Sequence, residues 1–307
     1  MSRTTGGKLV IKTRPRRSAL YMPGSNARAL EKARTLPADV LILDLEDAVA
    51  PVAKATARNQ VAAAVADRAF GLREVVVRIN GLDSEWGRDD LVAIAAAGPD
   101  AILVPKVASA EAVAVVQDLA EAAGAPALTR LWAMMELPVA VLDPLAIARA
   151  AEELGSRLAA FVMGTNDLAK ETGMRLVAGR APMLGWLANC VAAARTMNLV
   201  ILDGVHNDFR DDAGLAAECE QGRDLGMDGK TLIHPSQLVT CNKVFSPSAN
   251  EVDAAHRVIE AFARPENRGL AAIEVDGRMV ELLHAEIAQR TVAMAEAIVA
   301  VEEKMSG

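Results

Sequence analysis

Several apolar runs in this chain end in a carboxylate. Glu136 closes Leu131-Trp132-Ala133-Met134-Met135, and Asp167 follows Phe161-Val162-Met163-Gly164-Thr165-Asn166. Two acids presented in this way suit magnesium, or manganese in its place, because a hard cation takes oxygen ligands and keeps places for water or substrate. Helix capping by Asp167, or a plain salt bridge, is the rival reading. Asp44-Leu45-Glu46-Asp47 sets three acids within four residues, where repulsion calls for a cation, arginines or shared protons. An N-cap explains Asp47 but not all three. Arg78 ends the run Val75-Val76-Val77. Its guanidinium can hold a carboxylate in bidentate fashion and stabilise a developing enolate oxygen, or it can pair with Asp44 or Glu46, and the two roles are compatible.

A second constellation lies near the start. Tyr21-Met22-Pro23-Gly24 turns into a helix on which Arg28 and Lys32 lie one turn apart, an arrangement that suits a phosphate group or simple solvation. Arg14-Pro15-Arg16-Arg17 reads either as a solvated tail or as a phosphate-binding arm. Gly226 to Thr231 ends like a P-loop, but that motif's first glycine would fall at Asp224, so the match fails. Lys106 reads as a hydrogen-bond donor to the acid cluster rather than as a Schiff-base lysine. His234 is the only one of the four histidines placed at a strand end.

The elements that must position these groups follow from an alternation of short apolar runs with Ala-rich helical segments, the mark of a parallel sheet covered by helices. The runs are Ser18–Met22, Val40–Leu43, Glu74–Ile79, Ala101–Val104, Leu131–Met135, Leu158–Met163, Leu199–Leu202 and Met227–Ile233. Helices are expected at Ala27–Arg34, Ala53–Ala66, Trp86–Ala97, Ala110–Ala123, Val139–Glu153, Gly185–Met197 and Ala213–Leu225. Eight such units in about 240 residues fit a (β/α)8 TIM barrel better than a doubly wound sheet. Asp44, Glu46, Arg78, Asn80, Lys106, Glu136, Asp167 and Asp203 all follow apolar runs, and in a barrel such positions share one mouth. The expected domains are a tail at 1–17, the barrel at 18–246 and a helical extension at 247–307. That extension holds Glu251–Arg264 and Met279–Glu303, with an extended piece at Ala271–Asp276.

The chain has 307 residues, 52% hydrophobic, enough for a barrel with an appendage. A formal charge of -7 argues against nucleic acid held on a general basic surface. Cys190, Cys219 and Cys241 form neither a disulfide frame nor a zinc site, which points to a reduced, cytoplasmic setting. No leader and no apolar run of membrane-spanning length is read, so no membrane partner is expected.

Seven boxes occur in order: Arg17–Gly24, Leu43–Val49, Val77–Asn80, Leu103–Val107, Met135-Glu136, Gly164–Leu168 and Lys230–Pro235. With them the chain resembles, along nearly its whole length, the citrate lyase beta subunit, malyl-CoA lyase and citramalyl-CoA lyase family. That family sits within the HpcH/HpaI aldolase superfamily of phosphoenolpyruvate-binding barrels. The resemblance implies that Glu136 and Asp167 ligate magnesium and that Arg78 binds the keto-acid or enolate oxygen. It implies that Gly164, Thr165 and Asn166 help to hold a substrate carboxylate, and that Tyr21, Arg28 and Lys32 bind the coenzyme A thioester. The family's C-terminal acid/base is an aspartate reaching into a neighbouring subunit, and here Glu281 stands in its place. A homo-oligomer follows, a trimer before a hexamer.

The expected reaction is magnesium-dependent cleavage of a 3-hydroxyacyl-CoA of malyl-, citramalyl- or citryl-CoA type into a 2-keto acid and a short acyl-CoA, or the reverse. Asp44, Glu46 or Asp47 would support proton removal and Glu281 would protonate the enolate carbon. Rival readings are a metal-dependent aldolase on a free keto-hydroxy acid and a non-catalytic citrate lyase beta-like subunit.

Overall fold

A computed structural model describes residues 14–306. Eight parallel strands close into a barrel in chain order. They are β1 (Ser18–Pro23), β2 (Val40–Asp44), β3 (Glu74–Arg78), β4 (Ala101–Val104), β5 (Arg130–Met135), β6 (Leu158–Met163), β7 (Val200–Asp203) and β8 (Gly229–Leu232). The helices around them are α1 (Ala27–Ala33), α2 (Lys54–Ala66), α3 (Gly87–Ala97), α4 (Ala110–Ala122), α5 (Pro138–Leu142), α6 (Pro144–Ala148), α7 (Thr165–Thr172), α8 (Leu184–Thr196), α9 (Asp212–Asp224) and α10 (Leu238–Phe245). The expected (β/α)8 barrel is therefore the fold.

Strand residues alternate between two cores because their side chains point to opposite faces in turn. Ala19, Val40, Ile42, Val76, Leu103, Trp132, Met134 and Val162 fill the inside, while Leu20, Leu41, Leu43, Val77 and Phe161 pack outward against the helices. β8 meets β1 through Ser18↔Lys230 and Leu20↔Leu232. Gly24 makes the first turn pack closely: its N–H donates to the Asp44 carbonyl at 2.8 Å, and a Cβ there would stand 2.6 Å from that oxygen.

Three expectations change within residues 14–245. The single helix at Val139–Glu153 breaks at Asp143, because Pro144 has no N–H to continue it and Asp143 instead caps α6 by accepting from the Ala146 N–H at 3.2 Å. α7 escaped the reading because only Thr165, Leu168 and Ala169 of its residues are buried, too few to print a period. Arg16 and Arg17 are neither tail nor phosphate arm: Arg17 pairs with buried Asp39, just ahead of β2, at 2.9 Å and Arg16 with Glu74 of β3 at 2.5 Å.

Arg16–Phe245 form one compact unit, and the segment from Ser246 onward belongs to another. In the latter, Ser248 and Glu251 make a capping box for α11 (Ala249–Ala263). β9 (Ala272–Val275) and β10 (Arg278–Glu281) form an antiparallel hairpin through Asp276-Gly277, with φ of 53° and 76°. Ile273 and Val280 bury themselves with Ala261 of α11. α12 (Leu282–Ser306) follows. Glu281, expected within a helix, thus ends a strand instead, and its N–H donates to His284 Nδ1 at 3.0 Å. Among the described residues no helix is long and apolar enough to cross a membrane.

Candidate active site at the barrel mouth

Strand alternation carries Tyr21, Asp44 and Arg78 inward at the carboxyl ends of β1, β2 and β3, and Glu136 takes the next inward place after Trp132 and Met134. The β2–β3 register sets Asp44 directly beside Arg78. There the guanidinium is clamped: Nε and Nη2 donate to the two oxygens of Asp44, both at 2.7 Å. The same carboxylate accepts from the N–H groups of Glu46 at 2.9 Å and Ala48 at 3.1 Å. Nη1 lies 2.8 Å from Glu46 Oε2 and 3.4 Å from Asp47 Oδ2. The Tyr21 ring lies 4.8 Å from the Arg78 carbon, a cation–π contact. Burial pulls the Arg78 pKa down, but Tyr21, Asp44 and Glu46 together hold it well above its ordinary value.

The acids differ sharply. Asp44 is buried and committed to Arg78, whereas Asp47 is exposed and lines the mouth. Glu46 Oε2 has no aligned hydrogen-bond donor despite its closeness to Nη1. Burial, with help from Asp47, Glu136 and Asp44 and against Arg78, pushes the Glu46 pKa up to about 8. Glu136 Oε1 accepts the Lys106 N–H at 2.6 Å. Burial pushes Glu136 up to about 7; the Lys106 N–H opposes this and the charge of Asp167 adds to it. Lys106 therefore supports the cluster as expected, but with its backbone, held at φ 53°, while its ammonium sits 3.8 Å from Glu46 Oε1.

A cavity of about 330 Å³ opens here, lined by Tyr21, Asp44, Asp47, Arg78 and Met134 on one side and by Gly164, Thr165, Asn166, Asp167 and Thr231 on the other. The start of α7 adds N–H groups without acceptors in the helix. Gly164 is required: a Cβ there would collide with the Glu136 side chain and stand 2.8 Å from Oε2. Among the described residues neither Glu136 nor Asp167 has a cationic partner within ion-pair distance, and no group of three or more acids, histidines or cysteines is disposed to hold a metal ion by itself. Two unpaired carboxylates that repel one another make an all-oxygen donor pair, which fits a hard divalent ion completing its shell from water and substrate.

Arg28 and Lys32 stand exposed on α1. Asp203 and Asn80, expected at the mouth, leave it. Asp203 follows inward Leu202 and so points outward, where Arg180 Nη1 at 2.7 Å and buried Lys230 at 3.0 Å hold its pKa down against burial. Lys230 also reaches Glu218 at 3.0 Å, so the lysine of the failed P-loop is a structural ion. Asn80 turns to Asp90, donating from Nδ2 at 2.6 Å. His234 stacks on Phe209 at 4.7 Å and caps the turn Pro235–Gln237. Sequence reasoning missed Lys54, whose ammonium is buried beneath the acid loop; its only sequence mark is a place eight residues after Glu46.

A parallel eight-stranded barrel with acids and an arginine at the carboxyl ends of its strands is a TIM-type barrel with a charged mouth. The chain belongs to the HpcH/HpaI aldolase/citrate lyase family, whose model matches residues 17–235. It is 51% identical over 290 residues to a (3S)-malyl-CoA thioesterase of Cereibacter sphaeroides (strain KD131), covering 93% of this chain and 96% of that one. It is 34% identical over 275 residues to the citrate lyase subunit beta of Escherichia coli (strain K12), covering 88% and 90%. Among solved structures it resembles CitE of Mycobacterium tuberculosis in complex with magnesium, acetoacetate and coenzyme A. The TM-score is 0.70 at 28% identity, with 92% of this chain and 99% of that chain covered.

Proposed function

We propose that this chain is a magnesium-dependent enzyme acting on short CoA thioesters of the malyl-CoA type, and that it cleaves the carbon–carbon bond between the carbinol and the acyl α-carbon. One observation carries this reading: Arg78 is fixed by Asp44 on the wall of a cavity that also holds Asp167 and the start of α7, with Glu136 beside it. Glu136 and Asp167 would hold the ion, supported by the magnesium complexes of similar chains. When bound, the ion supplies Lewis-acid polarisation of the substrate's hydroxyl and carboxylate oxygens.

The protein's own groups do the rest. The N–H groups of Thr165 and Asn166 receive the carboxylate. The hydroxyl proton passes to Asp47, which flanks Nη1 together with Glu46. The freed electron pair forms the keto carbonyl, the C–C pair moves into the thioester as its enolate, and Arg78 stabilises the negative oxygen. Glu281 returns a proton to the enolate carbon, completing a 2-keto acid and a short acyl-CoA. Tyr21, Arg28 and Lys32 are assigned to the thioester's coenzyme A portion, and Glu281 to a neighbouring subunit of a homotrimer.

Hydrolysis of the thioester is the second reading. It is favoured by the 51% identity to a malyl-CoA thioesterase and by a glutamate standing at position 281 where the family's carbon acid is an aspartate. One experiment decides. The protein is given malyl-CoA, citramalyl-CoA and citryl-CoA, with and without EDTA, while keto acid is trapped as its hydrazone and free thiol is titrated. Keto acid without thiol supports the lyase, and thiol without keto acid the hydrolase. Turnover indifferent to EDTA, or none at all, rejects the proposal.

A further inference from the structure

Beneath the acid loop lies a buried cation that the proposed reaction does not itself use. Lys54 opens α2 and is only 6% exposed. Its Nζ donates to the carbonyls of Leu45 at 2.8 Å and Glu46 at 2.7 Å and to Asn80 Oδ1 at 2.6 Å, which uses all three ammonium hydrogens. The Trp86 ring centroid is 5.2 Å away. Asn80 Nδ2 donates in turn to the Leu45 carbonyl at 2.8 Å and to Asp90, whose carboxylate is fully buried and also accepts from Arg58 Nε at 2.7 Å. From the other side, the Leu45 N–H donates to the Arg78 carbonyl at 2.9 Å.

Among the described residues no carboxylate lies within ion-pair distance of Lys54. A buried ammonium carries a desolvation cost that a neutral donor does not, and Asn80 already supplies a neutral donor to Leu45. Loop closure alone therefore does not call for a lysine. The charge has its use with the three acids of the loop above, whose mutual repulsion a cation relieves.

We infer that Lys54, with Asn80 as its partner, is a positioning residue that fixes the backbone of Leu45 and Glu46 so that the Glu46 carboxylate meets Arg78 at the mouth. Both carbonyls are drawn toward the ammonium, and the Glu46 side chain leaves for Nη1 at 2.8 Å. The inference rests on the reading of the mouth as the reaction site, and its test is separable from that reading.

Hydrogen exchange and steady-state kinetics are measured on Lys54→Met and Asn80→Ala in the full chain. In Lys54→Met, amides of residues 44–50 are expected to exchange at least tenfold faster while those of α8 are unchanged. On whichever thioester the unsubstituted protein turns over, kcat is expected to fall at least tenfold with KM within threefold. Exchange at 44–50 that stays as in the unsubstituted protein, or that quickens equally across the barrel, overturns the inference. So does a kcat that does not fall. Should Lys54→Met fail to fold, Asn80→Ala is expected to show the same local pattern at about threefold, and its absence there overturns the inference. If the unsubstituted protein turns over nothing, the proposed function fails while exchange still decides the role of Lys54.

Discussion

Replacing Asp44 by Asn tests the heart of the site with almost no change in volume. Asp44 accepts two hydrogen bonds from Arg78 at 2.7 Å and one each from Glu46 N and Ala48 N, with its side chain 1% exposed. An amide keeps one accepting oxygen and brings two N–H donors. Its NH2 group must then face either Arg78 Nε with Glu46 N or Arg78 Nη2 with Ala48 N, donor against donor. Two of four bonds are lost, and the buried guanidinium keeps one bond to position 44, with Glu46 and Asp47 beside Nη1. Breaking a buried pair by removing one partner costs about 3–5 kcal/mol, and the remaining acids place this case near about 3 kcal/mol. Urea unfolding is the assay, with a lower midpoint expected at an unchanged slope. Because Arg78 then loses its aim at the cavity, turnover is expected to fall on the order of a hundredfold. A loss below about 1 kcal/mol together with undiminished turnover would refute the reasoning, since Glu46 alone would then suffice to hold the guanidinium.

Three further outcomes follow from the same geometry. The folded protein holds the Glu46 proton up to about 8 against an ordinary value of 4.5, so that contribution is complete below pH 4.5 and disappears as pH rises through 8. In EDTA the urea midpoint should therefore drop between pH 5 and 8.5, and Glu46→Gln should flatten the drop; a decline of equal size in the variant counts against it. Gly164→Ala puts a methyl group into the Glu136 side chain, so calorimetry should show magnesium binding weakened by about tenfold or more. Lys230→Met removes a fully buried ion that bridges Asp203 and Glu218, which should lower stability by about 3–5 kcal/mol in urea unfolding. Turnover of the folded fraction should change little, since these groups point away from the mouth.

The barrel was legible because its signal is local: each of Ala101–Val104 and Leu158–Met163 is an apolar run whose strand matches to the residue. Helices failed to show where the pattern lacked contrast, as in polar α7, or where one residue interrupted it, as Pro144 does. The hairpin before α12 was half legible. Asp276-Gly277 marks a turn, but only the packing of Ile273 and Val280 against Ala261 makes Arg278–Glu281 extended rather than helical.

By itself the sequence determined which chemistry was on offer: acids and an arginine at the ends of buried runs, with no grouping of its four histidines and three cysteines that suggests a histidine or zinc site. The tertiary structure decided which of those residues meet. Asp44 and Asp203 both end apolar strands, yet one is tied to Arg78 at the mouth and the other to Lys230 outside the wall. The physical reason is that a strand's two faces alternate at every residue, so a shift of one position in register decides whether a charge joins the site or the scaffold.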